Sequence, residues 1–129
     1  MPSLILTIDT ELSNFPDGQG LWGKFANGEE LGLAFILDTL DEAEAKATFF
    51  TDVYGSAEGD VEHQSNACHR IAARGHDLQL HTHPAPTHDP DRPQLKQYSK
   101  DEQTSILTFG RERIKDWCGI TPLLHRAGD

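Results

Sequence analysis

The sequence has few cysteines and few basic residues. Its two cysteines, Cys68 and Cys118, match no metal-binding spacing and no disulfide framework, which predicts a reducing compartment. Its 21 aspartates and glutamates outnumber 11 lysines and arginines, and the formal net charge of −10 would repel nucleic acid phosphates and anionic membrane surfaces. We therefore expect neither nucleic acid nor a membrane among its partners.

The sequence also lacks a long hydrophobic run. The opening stretch Leu4-Ile5-Leu6 is broken at Asp9, and it is too short for a signal peptide or a membrane span. This pattern predicts a cytoplasmic protein. A length of 129 residues with 36% hydrophobic and 25% charged residues predicts one domain, covering 1–129, with a single core.

Short apolar segments alternate with segments of helical periodicity. The first predicted helix follows a loop over 13–28, has Asn27 as its candidate cap and ends near Ala45. In chain order, the other predictions are strands over 3–8, 46–52 and 77–83, helices over 62–74 and from the capping pair Ser99 and Glu102 to Gly119, and a last strand beginning at Leu123. Strands alternating with helices predict an α/β fold of parallel βα units, a sheet or barrel with about four strands and three helices.

Polar side chains follow the ends of the predicted strands. Asp9 and Glu11 close the first predicted strand, and Asp52 closes the second. His81 and His83 close the third, and His125 with Arg126 closes the fourth. Side chains two positions apart on a strand share a side, and the carboxyl ends of parallel strands meet at one edge. Two imidazoles and a carboxylate are typical of catalytic zinc or non-haem iron, which makes Glu11, His81 and His83 the candidate metal ligands.

This ligand set indicates a hydrolytic mechanism. A bound metal lowers the pKa of its water to about 7 and polarises a carbonyl. Asp9 would then act as the general base, with its charge held by a bidentate contact from Arg126.

Structural interpretations stay open for the same residues. Asp9 and Glu11 are also typical turn residues, and the histidines and Arg126 could simply lie on the surface. His88, on the loop after the third strand, could be a further ligand, and Trp22 could line a substrate groove. The remaining histidines favour structural or solvent-facing positions: His63, His69, His76 and His125.

Several stretches, in their order and spacing, resemble the motifs of one family. They are Leu6-Thr7-Ile8-Asp9, Ala47-Thr48-Phe49-Phe50, Gly75-His76-Asp77-Leu78-Gln79-Leu80-His81-Thr82, Ser99-Lys100-Asp101-Glu102, Gly119-Ile120-Thr121-Pro122 and His125-Arg126-Ala127-Gly128. On these stretches the chain resembles the polysaccharide deacetylase family, also called the NodB-homology domain or carbohydrate esterase family 4. The resemblance implies a distorted (β/α) barrel in which a divalent metal, zinc first among the candidates, assists removal of acetyl groups from N-acetylated sugars.

The resemblance also implies roles for individual residues. Asp9 would be the catalytic base, Arg126 would orient it, and His81 would be the first histidine ligand. Two positions depart from the commonest motif. Thr10 stands where a second aspartate usually binds the metal, so Glu11 would serve instead, and Ala85 stands where the second histidine usually lies. His83 resembles the shorter H-x-H-P version of a divergent branch.

The resemblance covers nearly the whole chain but ends just after the third motif. Later strands and the histidine that protonates the leaving amine would then be missing, which predicts weak or no activity for the isolated chain and an open sheet edge suited to self-association. Two other functions stay open. One is a metal-dependent phosphoesterase or amidohydrolase of the H-x-H type, and the other is a non-catalytic relative that binds sugar or metal.

Overall fold

The computed structural model describes residues 4–12 and 19–128. Strands and helices alternate along these residues. The strands are β1 (Thr7–Thr10), β2 (Thr48–Asp52), β3 (Asp77–Thr82) and β4 (His125–Ala127), and the helices are α1 (Gln19–Trp22), α2 (Leu33–Glu42), α3 (Glu58–Ala73) and α4 (Lys100–Cys118), with a 3-10 turn over Leu95–Gln97.

The four strands form one parallel sheet in the order β1-β2-β3-β4. The register aligns Ile8 with Phe49 and Phe49 with Leu78, and it places His81 beside Arg126. The sheet and its helices make a half-barrel, which confirms the predicted α/β fold of parallel βα units. All carboxyl ends of the strands therefore lie along one edge.

The hydrophobic core lies on one face of the sheet. Phe49, Leu78 and Leu80 are buried there against the helices. Each long helix presents a stripe at helical spacing to this core: Leu33, Leu37 and Leu40 from α2, Ala67, Cys68 and Ile71 from α3, and Ile106, Gly110 and Ile114 from α4. The alternation of strand side chains leaves Asp9 and Arg126 on the opposite face, where they contact each other.

The end signals of α4 are confirmed. Ser99 and Glu102 form the predicted capping box, since each side chain bonds the other residue's backbone N–H. Gly119 ends the helix with a left-handed φ of 70°, which favours glycine because it lacks a Cβ.

Several predicted boundaries were wrong. β1 begins at Thr7, and Leu4 and Ile5, expected in a covered strand, are 92% and 82% exposed. The last strand begins at His125 instead of Leu123, which is 85% exposed, so His125 and Arg126 open β4 and do not close it. Helix α3 starts four residues earlier than predicted.

The predicted loop over 13–28 contains helix α1, so there are four helices instead of three among the residues that the structure describes. Residues 13–18 of that loop lie outside the described residues. Asn27 does not cap α2. Its side chain instead accepts a hydrogen bond from the Glu29 backbone N–H, and Gly32 is the N-cap. None of the described helices has both the length and the apolar character needed to span a membrane.

Candidate metal centre and catalytic dyad

Three side chains converge at the carboxyl ends of β1 and β3. The Nε2 atoms of His81 and His83 lie 3.1 Å apart, and Glu11 reaches them with separate oxygens, Oε1 at 2.9 Å from His81 and Oε2 at 3.2 Å from His83. His81 is buried, whereas His83 and Glu11 are partly exposed. The structure thus brings together the three candidate ligands, and one face of the cluster stays open to solvent.

The β3–β4 register fixes the tautomer of His81. Its Nδ1 lies 3.0 Å from the backbone carbonyl oxygen of Arg126. A carbonyl only accepts, so Nδ1 carries a hydrogen and Nε2 is the ring nitrogen that faces Glu11 and His83. The same arrangement orients histidines in metal sites.

These distances fit a single cation. Ligand atoms about 2.0–2.1 Å from a tetrahedral zinc lie about 3.3 Å from each other. The three observed separations are 2.9, 3.1 and 3.2 Å. Nε2 of His81 and a carboxylate oxygen of Glu11 face each other at this range, and a divalent metal between them could be bound by both.

His83 is positioned by the backbone that follows β4. The Gly128 N–H donates to the carbonyl of Thr82 at 3.0 Å. A Cβ at position 128 would clash with the His83 imidazole. Only glycine therefore lets the chain pass close enough to hold that ring in place.

Asp9 and Arg126 form an ion pair across the sheet. Nη1 of Arg126 lies 2.5 Å from Oδ1 of Asp9, and Nη2 donates to the hydroxyl of Thr7 at 3.0 Å. The guanidinium also lies over the Phe50 ring, 4.1 Å from its centre. The predicted partnership is present, but it is not bidentate, because the second nitrogen binds Thr7. Within the part of the chain that the structure describes, the other oxygen of Asp9 has no hydrogen-bond partner, and the side chain is 40% exposed.

Asp52, at the end of β2, is a neighbour of the site that had no predicted role. Its carboxylate is buried and accepts hydrogen bonds from the Tyr54 backbone at 3.3 Å and from the Gln64 side chain at 3.2 Å. Burial raises the pKa of Asp52 to about 6, although the two histidines oppose the rise. The position of Asp52 at the end of a strand could be predicted from the sequence. Its burial could not, because it depends on packing against helix α3.

Other candidate residues lie outside the cluster. His88 packs against Tyr54 and Phe109, and its Nδ1 is hydrogen-bonded to the Thr87 hydroxyl at 2.9 Å. Trp22, the candidate for lining a substrate groove, is buried, and its indole N–H donates to His63 at 3.0 Å.

His125 interacts with the hydroxyl of Thr82 at 3.0 Å, and burial lowers the pKa of its ring. A cavity of about 510 Å³ lies between the loop after β3 and the start of α4, away from the ligand cluster. A smaller one, of about 120 Å³, touches both Asp9 and Glu11. Of these two cavities, only the smaller one contacts the candidate base and a candidate metal ligand.

The parallel sheet and its helices form half of a (β/α) barrel, with the cluster at the carboxyl ends of its strands. Residues 17–128 match the polysaccharide deacetylase family, and the chain belongs to that family. No match was found among curated proteins.

Solved structures share the fold. Peptidoglycan deacetylase PdaC from Bacillus subtilis has 18% identity and a TM-score of 0.60, over 95% of this chain and 48% of that one. The chitin deacetylase of the fungal pathogen Colletotrichum lindemuthianum has 20% identity and a TM-score of 0.60, over 95% and 45%. The polysaccharide deacetylase Bc1974 from Bacillus cereus has 21% identity and a TM-score of 0.57, over 95% and 47%. The chain spans about half the length of these structures.

Proposed function

We propose that this chain carries the metal-binding and base-carrying half of the active site of a hydrolase that removes acetyl groups from N-acetylated sugars. Family membership supports the class of reaction. The observation that carries the proposal is the convergence of Glu11, His81 and His83 at the mutual distances expected of ligands to one cation.

Glu11, His81 and His83 would hold the divalent metal. Zinc is the cation we expect, because two imidazole nitrogens and one carboxylate oxygen form a common catalytic zinc set. When bound, such a metal polarises an acyl carbonyl and acidifies water. The Arg126 carbonyl keeps the Nε2 lone pair of His81 available for it.

Asp9 would take the proton from the attacking water. Hydrolysis adds the water oxygen to the acetyl carbon and breaks the C–N bond, giving acetate and a free amine. Arg126 holds Asp9 from one side through Oδ1, and the Asp9 side chain, 40% exposed, stays accessible to solvent. The leaving amine takes up one proton, which balances the proton that Asp9 removes from the water.

Metal content tests the ligand assignment. Protein stripped with chelator and refilled with zinc should bind one equivalent, and His81→Ala should lower the affinity by more than about a hundredfold because a ligand is lost. His88→Ala is the matched control, since His88 lies outside the cluster and should leave binding unchanged. Unchanged zinc affinity in His81→Ala would rule out ligation there.

Acetate release tests the reaction. With N-acetylglucosamine oligomers or peptidoglycan, Asp9→Asn should keep the zinc and lower the rate by about a hundredfold to ten-thousandfold, because the general base is lost. Hydrolysis of a phosphate ester with no acetate release would favour the H-x-H phosphoesterase class. Zinc and sugar binding without acetate release, in parent and variant alike, would favour a non-catalytic relative.

A further inference from the structure

The segment between α1 and α2 folds back on itself so that its two ends meet. The Gly32 N–H donates to the carbonyl oxygen of Trp22 at 3.0 Å, and the Leu31 N–H donates to the carbonyl oxygen of Gly23 at 3.1 Å. Residues 23–31 are therefore a compact Ω-loop, a kind of surface loop that frequently carries function.

Helix α3 holds this Ω-loop through the Trp22 side chain. The indole N–H donates to Nδ1 of His63 at 3.0 Å, and the guanidinium of Arg70 lies over the indole ring, 4.5 Å from its centre. Arg70 also pairs with Glu30, near the other end of the loop, at 3.4 Å. Because Trp22 is buried, His63 supplies the hydrogen-bond partner that a buried indole N–H needs.

The ends of the Ω-loop also border the candidate site. The cavity of about 120 Å³ that touches Asp9 and Glu11 is lined by Leu21 and Gly32 as well. Leu21 directly precedes Trp22, and the Gly32 N–H is bonded to the Trp22 carbonyl oxygen. A movement of Trp22 away from α3 would therefore change the wall of this cavity.

The hydrogen bond between Trp22 and His63 requires one protonation state of the imidazole. An indole nitrogen can only donate, so Nδ1 of His63 must offer a lone pair and the ring must be neutral. A second proton on the ring would occupy Nδ1 and leave two donors facing each other. Histidine is the side chain that ordinarily gains such a proton between about pH 8 and about pH 5.

Charged side chains of both signs lie near His63 on the two elements that meet there. On α3, Asp60 precedes it by one turn and Arg70 follows it by two turns. On the Ω-loop, Lys24 pairs through its backbone with Glu30, which contacts Arg70. The acidic groups favour a charged imidazole and the basic groups oppose it, so these surroundings can accept either state of the ring.

We propose that protonation of His63 releases the Ω-loop and opens the cavity beside Asp9 and Glu11. At neutral pH the indole of Trp22 is held on α3 and the cavity wall is closed. As the pH falls, Nδ1 takes up a proton, the indole loses its acceptor, and the loop ends separate from α3. This device needs no metal, so it can fail or succeed independently of the proposed hydrolase function.

Hydrogen exchange of chelator-treated protein between about pH 8 and about pH 5 tests the proposal. The Leu31 and Gly32 amides report the opening, because each donates across the loop ends and Gly32 lines the cavity. After correction for the intrinsic effect of pH on exchange, their protection should fall about tenfold on acidification. Protection in α4 should stay constant. An equal fall throughout the chain would indicate acid unfolding and would overturn the proposal.

Variants of two histidines on α3 identify the group that titrates. In His63→Gln the side-chain oxygen can still accept from the indole N–H but gains no proton, so protection should stay high at both ends of the pH range. His63→Leu has no acceptor and should show low protection at every pH. His69→Gln is the matched control, since Nδ1 of His69 lies 3.9 Å from the sulfur of Cys118 on α4, and it should keep the parent's response. No fall in the parent, or the same fall in His63→Gln, would refute the proposal.

Discussion

At the scale of single residues, the site depends on backbone atoms as much as on its ligands. The Arg126 carbonyl oxygen sets the tautomer of His81, and the absence of a Cβ at Gly128 leaves room for the His83 ring. These contacts give the two imidazoles the convergent orientation that a single cation requires.

Replacing Gly128 tests this positioning. In Gly128→Ala the new Cβ must push the His83 ring aside, so zinc affinity should fall about tenfold to a hundredfold, measured by calorimetry on refilled protein. Gly59→Ala is the control, since a Cβ there meets nothing, and its zinc affinity should match the parent. Equal affinities in all three proteins would show that Gly128 does not position His83.

The residue pattern predicted the ligands better than it predicted their supports. His81 and His83 could be paired from the two-residue period of a strand. Asp9 and Arg126 could be paired from their charges at strand ends and from the family resemblance. Thr7 and Gly128 could not be placed, because their contacts depend on the register of strands that are distant in sequence. The roles of Asp9, Arg126 and the three ligands stay predictions.

At the scale of elements, α4 carries its boundaries in its own sequence. The capping box and Gly119 act within one turn of each helix end, so they could be predicted from neighbouring residues. The ends of β1 and β4 could not, because leucines that look like strand residues are exposed where no partner strand covers them. Helix α1 has one turn, too short for a periodic signal.

The N-cap of α4 should contribute measurably to stability. Ser99→Ala removes the acceptor for the Glu102 backbone N–H and should cost about 1 kcal/mol in the free energy of unfolding, measured with urea. Ser105→Ala is the control, because that hydroxyl bonds only a carbonyl of its own helix and should change stability by less than about 0.5 kcal/mol. Equal losses of unfolding free energy in the two variants would contradict the assignment of Ser99 as the stabilising N-cap.

The same cap predicts a response to acid. Hydrogen bonds from the Ser99 backbone and hydroxyl, with help from Arg92, lower the pKa of Glu102 to about 2. Because the folded pKa lies below the unfolded one, this stabilisation is present above about pH 4.5 and is lost as the pH falls toward 2. Glu102→Gln should therefore lose less stability than the parent over that range in urea titrations. The prediction would be wrong if the parent and Glu102→Gln lost equal amounts of unfolding free energy as the pH falls.

At the scale of the whole molecule, the sheet has two open sides. Among the described residues, β1 and β4 each pair on one side only. Leu123 and Leu124, just before β4, are exposed, and they line a cavity of about 330 Å³ together with Leu107. Unpaired edges with adjoining apolar surface favour association with another chain.

We propose that these edges drive self-association of the chain. Light scattering at micromolar concentration should give twice the chain mass of 14.3 kDa, and Leu123→Glu should shift the protein toward monomer by placing charge beside the edge. Lys96→Glu, in the 3-10 turn, is the control for added charge. A parent that stays monomeric at every concentration would exclude this proposal. The cytoplasmic location expected from the sequence also stays a prediction.

The three-residue length of β4 has a kinetic consequence. Its Arg126 contacts Asp9 through its side chain and His81 through its carbonyl, and Gly128 follows directly. If this short edge strand frays, Asp9 and both imidazoles lose their alignment in a single event. On the proposed function, turnover and metal release would then depend on the same opening of β4, and the rate of that opening could be measured by hydrogen exchange at the Gly128 amide.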